Sequence, residues 1–378
     1  MNKIKKTLLG EGASSALASL IAIVIGLLFG FVILVISNPS QALRGLGVII
    51  AGGFNGGMKG IGQVLYFATP LIMTGLSVGF AFKTGLFNIG ASGQLIVGGF
   101  TAIWVGANFT WLPPWLLWLA GLLAAMLAGA VWGSIPGFFK AILNVNEVIA
   151  CIMCNYIGMY GVNYLIKNSN VYDKLKNQTI GIGQAAIPSM GLNNVFFSMK
   201  GNYKDLSSVN GGIIFAILFA VLIYVVLNKT TFGYTLKACG YNRDASKYAG
   251  INENRSIWLS MVIAGALAGV AGGFMYLAPT NGLHINVIEV LSPQGFNGIP
   301  VALLGMSNPI AIIFSAIFIA HISQGGYYLQ RMQYMPEIID IIIGAIIYFS
   351  AFSLVVKQAV AKFVKRQEIK KEKGGAAK

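Results

Sequence analysis

Residues 84–94 read TGLFNIGASGQ, a run that sets an Asn, a Ser, a Gln and three glycines inside otherwise lipid-grade sequence. In hydrocarbon an unpartnered polar amide costs several kcal/mol, so these groups must face protein, water or a solute. The chain around them is 56% hydrophobic and only 10% charged, where a soluble domain carries about 25% charged residues. Its apolar stretches reach about 20 residues, the length that crosses a hydrocarbon core of roughly 30 Å. The class is an all-α polytopic membrane protein.

Hydropathy predicts spans near 16–36, 61–82, 86–106, 112–132, 147–166, 211–227, 257–277, 286–306, 308–323 and 338–356. The first is read as a membrane helix, because it is too long for the h-region of a signal peptide. The net charge of +15 comes from basic residues at Lys3, Lys5 and Lys6, in the segment Asn228 to Ser256, and in the tail 357–378. Clusters of this kind mark cytoplasmic segments rather than a nucleic-acid surface. About ten transmembrane helices follow, with both termini cytoplasmic: an N-terminus 1–15, one transmembrane domain 16–356 and a basic tail near anionic headgroups. The long segment 167–210 then lies outside, as an entrance cap, a partner contact or a mobile solvated loop.

The middles of the predicted spans carry no Asp, Glu, Lys or Arg, so a proton relay of this chain's own has nowhere to sit. No phosphate-binding G-x-x-x-x-G-K-[ST] and no H-E-x-x-H occurs, and carboxylates do not cluster. The chain reads as neither an ATPase nor an enzyme. With only two histidines, His284 and His321, no His-based metal site is expected. Cys151 and Cys154 read as small packing residues one helical turn apart, and Cys239 as a free thiol. The pairs Gly26/Gly30, Gly265/Gly269 and Gly269/Gly273 read as close helix packing. Glu147 is expected as a cap and dipole partner at a helix start.

The energy must then come from elsewhere. The loop 228–256, NKTTFGYTLKACGYNRDASKYAGINENRS, is too polar for membrane, and short helices are expected over Thr235–Cys239 and Asp244–Ala249 with breaks at Gly240 and Gly250. The pair forms either a compact knob for a soluble partner or a solvated basic loop. A second signal is a repeat of wording: GLFNIGASGQ at 85–94 and GFNGIPVALLG at 295–305 each set Phe-Asn beside glycine. Five crossings separate them, so the copies run in opposite directions, the pattern of an inverted five-helix repeat.

These residues resemble a known family. TGLFNIGASGQLIVGG, NVNEVIACIMCNYI (144–157), LKACGYNRDASKYAGI (236–251) and GFNGIPVALLGMSNP (295–309) stand in the order of signatures in permease subunits of ABC importers of the branched-chain amino acid/simple sugar superfamily, closest to the nucleoside permeases. The resemblance implies translocation by alternating access in a bacterial cytoplasmic membrane. It implies a second permease chain, identical or different, and a lipid-anchored or periplasmic binding protein. ATP and Mg would sit on partner ATPase subunits, with no cofactor bound by this chain. It assigns the ATPase contact to Leu236, Lys237, Ala238, Gly240, Asn242, Ala245, Tyr248, Ala249 and Gly250. Asn88, Ser92, Gln94, Gln294, Phe296 and Asn297 are candidates for the substrate path, or for packing against a neighbouring helix. Ser92 stands where nucleoside members commonly carry Glu, which removes a charge from that span. A path of amides, hydroxyls and aromatics suits an uncharged, ring-bearing solute: a nucleoside first, a ribose-like sugar as the alternative. A self-sufficient carrier or channel is the rival from another class.

Overall fold

A computed structural model describes residues 11–181, 183–278, 284–335 and 337–351. Lys3, Lys5, Lys6 and the basic tail 357–378 lie outside them. The described chain is nearly all helix and divides into two compact units, one formed by its two ends up to Gly52 and from Gly325, the other by Gly53–Gln324. Among the described residues six helical stretches are long and apolar enough to cross a membrane.

In the terminal unit, α1 (Glu11–Ser37) packs on α14 (Glu337–Ala351). A methyl on Gly26 would lie 2.6 Å from the Ile346 Cα, and one on Gly30 would meet Ile342 at 2.9 Å. A short helix, α2 (Ala42–Ala51), which hydropathy does not predict, buries Ala42, Gly45 and Ile49. Its Gly45 faces Leu329 and Tyr334.

The central unit runs from α3 (Gly57–Lys83) through α4 (Ala91–Asn108), α5 (Pro114–Leu143), α6 (Glu147–Lys167), α7 (Gly212–Lys229), α8 (Thr231–Tyr241), α9 (Arg243–Tyr248), α10 (Glu253–Tyr276), α11 (Pro293–Phe296), α12 (Gly298–Leu304) and most of α13 (Pro309–Leu329). Its middle is α10, almost wholly buried against α5 and α4. Lipid offers no hydrophobic drive to pair apolar helices, so small residues must bring backbones close enough for dispersion contact. Gly265 lies against the Gly129 carbonyl and Gly133 Cα, Gly269 against Ala125 and Gly129, and Gly272 against Leu95 and Gly99. The glycine spacing of α1 and α10 is a packing device, as expected.

Two predicted spans are not continuous helices, and both carry the polar-glycine wording. The span expected over 86–106 begins only at Ala91. At Thr84–Gly85 the preceding helix stops: Gly85 takes φ +75°, its N–H donates to the Phe82 carbonyl at 3.1 Å, and the Leu86 N–H reaches back to the Ala81 carbonyl at 3.0 Å. This left-handed cap ends a helix because glycine alone reaches that φ without a Cβ penalty. The span expected over 286–306 is replaced by non-helical chain at 284–292, then α11 and α12 meeting at Asn297. Backbone amides freed in this way need protein partners at membrane depth.

The described residues of 168–210 are not structureless chain. They hold two small antiparallel hairpins, β1–β2 (Tyr172–Asp173 with Gln178–Thr179) and β3–β4 (Phe197–Lys200 with Tyr203–Leu206). Asn177 and Thr179 bond to the backbone of Ile285 and Val287, so the stretch is tied to the lead-in of the second broken segment. Asp205 receives the ammonium groups of Lys59 at 2.5 Å and Lys200 at 3.1 Å. The hydrogen bonds from Lys59 and then Lys200 hold its carboxyl below the usual range. A carboxyl depressed on folding stabilises fully above its unfolded pKa, and that contribution fades as pH falls through the folded value. The mobility of a spin label at Tyr203 should therefore be flat from pH 8 to about 5 and rise below about 4, while Asp205→Asn should be mobile throughout.

Candidate functional site

The first broken segment is closed by a cluster of neutral polar side chains. Asn88 is fully buried. Its Nδ2 donates to Gln94 Oε1 at 2.8 Å and to Ser77 Oγ at 3.0 Å, and Gln94 Nε2 returns a bond to Asn88 Oδ1 at 3.2 Å. Ser77 Oγ in turn donates to the Ala264 carbonyl of α10 at 2.7 Å. Cys151, free and buried like Cys154 and Cys239, sets its thiol 3.9 Å from Asn88 Oδ1. Thr84 bonds to Ser260 of α10 and to the Ala81 carbonyl. In the described conformation Asn88 and Gln94 are thus bonded to each other, which is how an amide pair is tolerated in a dry interior.

The second broken segment lies directly against the first. Ser92 Oγ donates to the Ser292 carbonyl at 2.9 Å, 200 residues along the chain. A methyl on Gly295 would fall 2.3 Å from the Ser92 Cα, and one on Gly298 would meet the Thr74 backbone. A glutamate at position 92 would bring a charge to this contact. Serine instead fits beneath Gly295 and spends its hydroxyl on backbone. Among the remaining candidates Gln294 and Phe296 are half-buried and Asn297 is exposed. Ser292 Oγ donates to Gln294 Oε1 at 2.8 Å.

The loop 228–256 is two helices with three side-chain caps. Thr230 Oγ1 accepts from the Gly233 N–H at 3.1 Å, Asn242 Oδ1 from Ala245 at 2.9 Å, and Asn252 Oδ1 from Arg255 at 3.0 Å. The first helix is longer than expected and runs through Gly240 to Tyr241, so the break falls at the capping Asn242. Gly250 does stop α9, at φ +79°. Gly240 has a different role: it presses on the first broken segment, where a methyl on it would lie 2.7 Å from the Thr84 carbonyl carbon and 2.8 Å from the Gly85 N. Leu236 is the buried anchor, Lys237 and Ala238 are half-buried, and Asn242, Ala245, Tyr248, Ala249 and Gly250 are exposed. Tyr234 and Tyr241 join that exposed face. Arg243 ties the loop down through Glu253 at 2.8 Å and Asn144 Oδ1 at 3.3 Å.

Sequence reasoning missed two residues of α6. Asn155 Oδ1 accepts the Gly93 N–H at 2.8 Å, capping α4 from another helix, and its Nδ2 donates to the Ile89 carbonyl at 3.1 Å. Two turns on, Asn163 Nδ2 donates to the Ile288 carbonyl at 2.9 Å. One helix thereby grips both broken segments. The available signal was two asparagines eight residues apart in an apolar span. Glu147 of the same helix pairs with Lys140 at 2.9 Å, and the cap is Asn146.

Residues 60–351 match the family described as branched-chain amino acid transport system / permease component. The chain is 38% identical to the guanosine ABC transporter permease protein NupP of Bacillus subtilis, over 93% of this chain and 98% of that one. It is 34% identical to the nucleoside ABC transporter permease protein NupB of Lactococcus lactis, over 96% and 98%. The glucose ABC transporter permease protein TsgB13 of Haloferax volcanii is 30% identical over 77% and 75%. No solved structure matches.

Proposed function

The chain belongs to the branched-chain amino acid transport system / permease component family, and from that premise we propose that it is the permease subunit of an ABC importer that carries nucleosides into the cell. The observation that carries the reading is the near end-to-end likeness to permeases named for guanosine and nucleosides. The chain is a membrane transport component and not an enzyme. Amides and hydroxyls at the two broken segments suit a neutral, polar, ring-bearing solute. The exposed face of α8 and α9 is the surface offered to an ATPase subunit, where ATP and Mg would be held. A second permease chain completes the membrane part, and a binding protein, lipid-anchored or periplasmic, delivers the solute. About ten crossings with both termini cytoplasmic, in a bacterial cytoplasmic membrane, complete the arrangement. The contact between the two polar-glycine segments supports an inverted repeat meeting at the path.

Uptake of labelled uridine and guanosine in cells with and without this gene tests the reading. Deletion should abolish a flux that stops on ATP depletion and survives a protonophore. A flux that instead collapses with the proton gradient alone makes the chain a carrier in its own right. The glucose permease relative supports a second reading, a sugar. Loss of ribose or glucose entry with nucleoside entry intact would decide for it.

A further inference from the structure

The lead-in to the second broken segment, 284–292, has no helix of its own, so its backbone groups must find partners elsewhere. Ile285 and Val287 are buried and Asn286 between them is exposed, the alternation of a strand. This strand runs antiparallel to 177–179. The Thr179 N–H donates to the Ile285 carbonyl at 3.0 Å and the Val287 N–H to the Asn177 carbonyl at 3.0 Å, with Gln178 opposite Asn286. Side chains lace the same seam. Thr179 Oγ1 accepts the Ile285 N–H at 3.1 Å, Asn177 Nδ2 donates to the Val287 carbonyl at 3.1 Å, and His284 Nδ1 lies 2.8 Å from the Thr179 carbonyl. From the membrane helices, Asn163 of α6 adds its bond to the Ile288 carbonyl. Just beyond the seam, Ser292 gives its carbonyl to Ser92 and Gly295 sits on the Ser92 Cα. The seam is therefore in series with the contact between the two broken segments. It is also small: β1 and β2 have two residues each, and a lone ribbon of two strands is marginal in water. Such a seam can part without unfolding any membrane helix, because its strands belong to none.

Resting on the nucleoside importer reading above, we propose that the seam between 177–179 and 285–287 is an outer latch of the translocation path. Zipped, as described, it holds the second broken segment against Ser92 and closes the path on the side where 168–210 lies. It unzips once per cycle to admit solute. The chemistry suits repeated opening. The seam is made of backbone, asparagine and threonine groups, which exchange their bonds for bonds to water at small net cost and leave no charge unpaired. Asn163 is then the hinge-side tie, keeping the lead-in attached to α6 when the latch opens.

The test is a reversible lock, Gln178→Cys/Asn286→Cys, in the full transporter in proteoliposomes. The two residues face each other between the flanking ladder bonds. In such a pair the Cα atoms are about 4.5 Å apart, which a disulfide spans. Gln178 is half-buried and Asn286 exposed, so an oxidant reaches them, while the three native cysteines are buried. Oxidation should lower uridine uptake about tenfold or more, and a reductant should restore it. Met199→Cys/Lys204→Cys, a facing pair across β3–β4, should cross-link with uptake unchanged. Complete cross-linking of 178 to 286 with uptake within twofold of the reduced form overturns the latch and makes the seam a fixed support. If the reduced variant carries ribose and not uridine, the nucleoside reading fails, and ribose uptake before and after oxidation tests the latch by itself. Should the variant fail to assemble or to transport, hydrogen exchange in the wild-type transporter decides. The Thr179, Ile285 and Val287 amides should exchange about tenfold or more faster during ATP turnover than without nucleotide, and equal rates overturn the proposal.

Discussion

Gly240→Ala is expected to lower ATP-driven uptake about tenfold or more while the ATPase subunits stay bound and continue to hydrolyse ATP. The added methyl would meet the Thr84 carbonyl carbon at 2.7 Å, the Gly85 N at 2.8 Å and the Lys83 carbonyl oxygen at 2.9 Å. All three are backbone atoms, so no rotamer change relieves the clash, and forcing the surfaces apart costs about 1–3 kcal/mol. Gly85 cannot yield, because its φ of +75° is what ends α3 and lets the polar cluster form. The surface proposed for the ATPase, around Asn242, Ala245 and Tyr248, is exposed and untouched by the change. Gly47→Ala, where nothing lies within 4 Å of the added methyl, serves as the control and should transport normally. Hydrolysis and uptake measured together on the reconstituted transporter decide the matter. Uptake within twofold of the wild type would mean that this contact does not carry the signal from loop to membrane.

Asn155→Leu, which keeps the approximate shape of the side chain, is expected to destabilise the protein by roughly 2–6 kcal/mol, because the Gly93 N–H and the Ile89 carbonyl each lose a buried partner at about 1–3 kcal/mol. Gly93 is in the first turn of α4, where backbone N–H groups have no partner within the helix, and Gly90 at the cap position brings no side-chain bond. Thermal unfolding of the purified protein measures the effect, with Asn168→Leu as the comparison. Asn168 lies at the exposed end of α6, where its side chain donates to the Tyr164 carbonyl, so loss of that amide should be nearly neutral. If both variants unfold at the same temperature, the cross-helix cap contributes nothing and the first broken segment is held by other contacts.

Much of the fold is legible without coordinates. Length and apolarity identify α3, α5, α6, α7, α10 and α13, since a membrane crossing imposes one length and one composition on each. The wording around Gly85 and Gly295 marks the two interruptions, since polar amides and glycine have no place in an unbroken lipid-facing span. The loop of α8 and α9 is legible through its caps, although local spacing points to Gly240 for the break that Asn242 makes. Glycine permits a helix end but does not compel one, and within α8 it is the close approach to Gly85 that needs the missing Cβ.

What local spacing could not supply is partnership across the chain. Residues 84–94 by themselves determine that three polar side chains must be satisfied at membrane depth. That Asn88 is matched to Gln94 and Ser77, Ser92 to a carbonyl 200 residues away, and Gly93 to Asn155 at a distance of 62 residues, was decided only by the tertiary structure. A sequence fixes the chemistry each residue must satisfy, because hydrocarbon penalises every unpaired polar group alike. Which group satisfies it depends on which helices are brought together, and that is set by the glycine seams of α10 with α4 and α5, whose partners lie far apart in the chain.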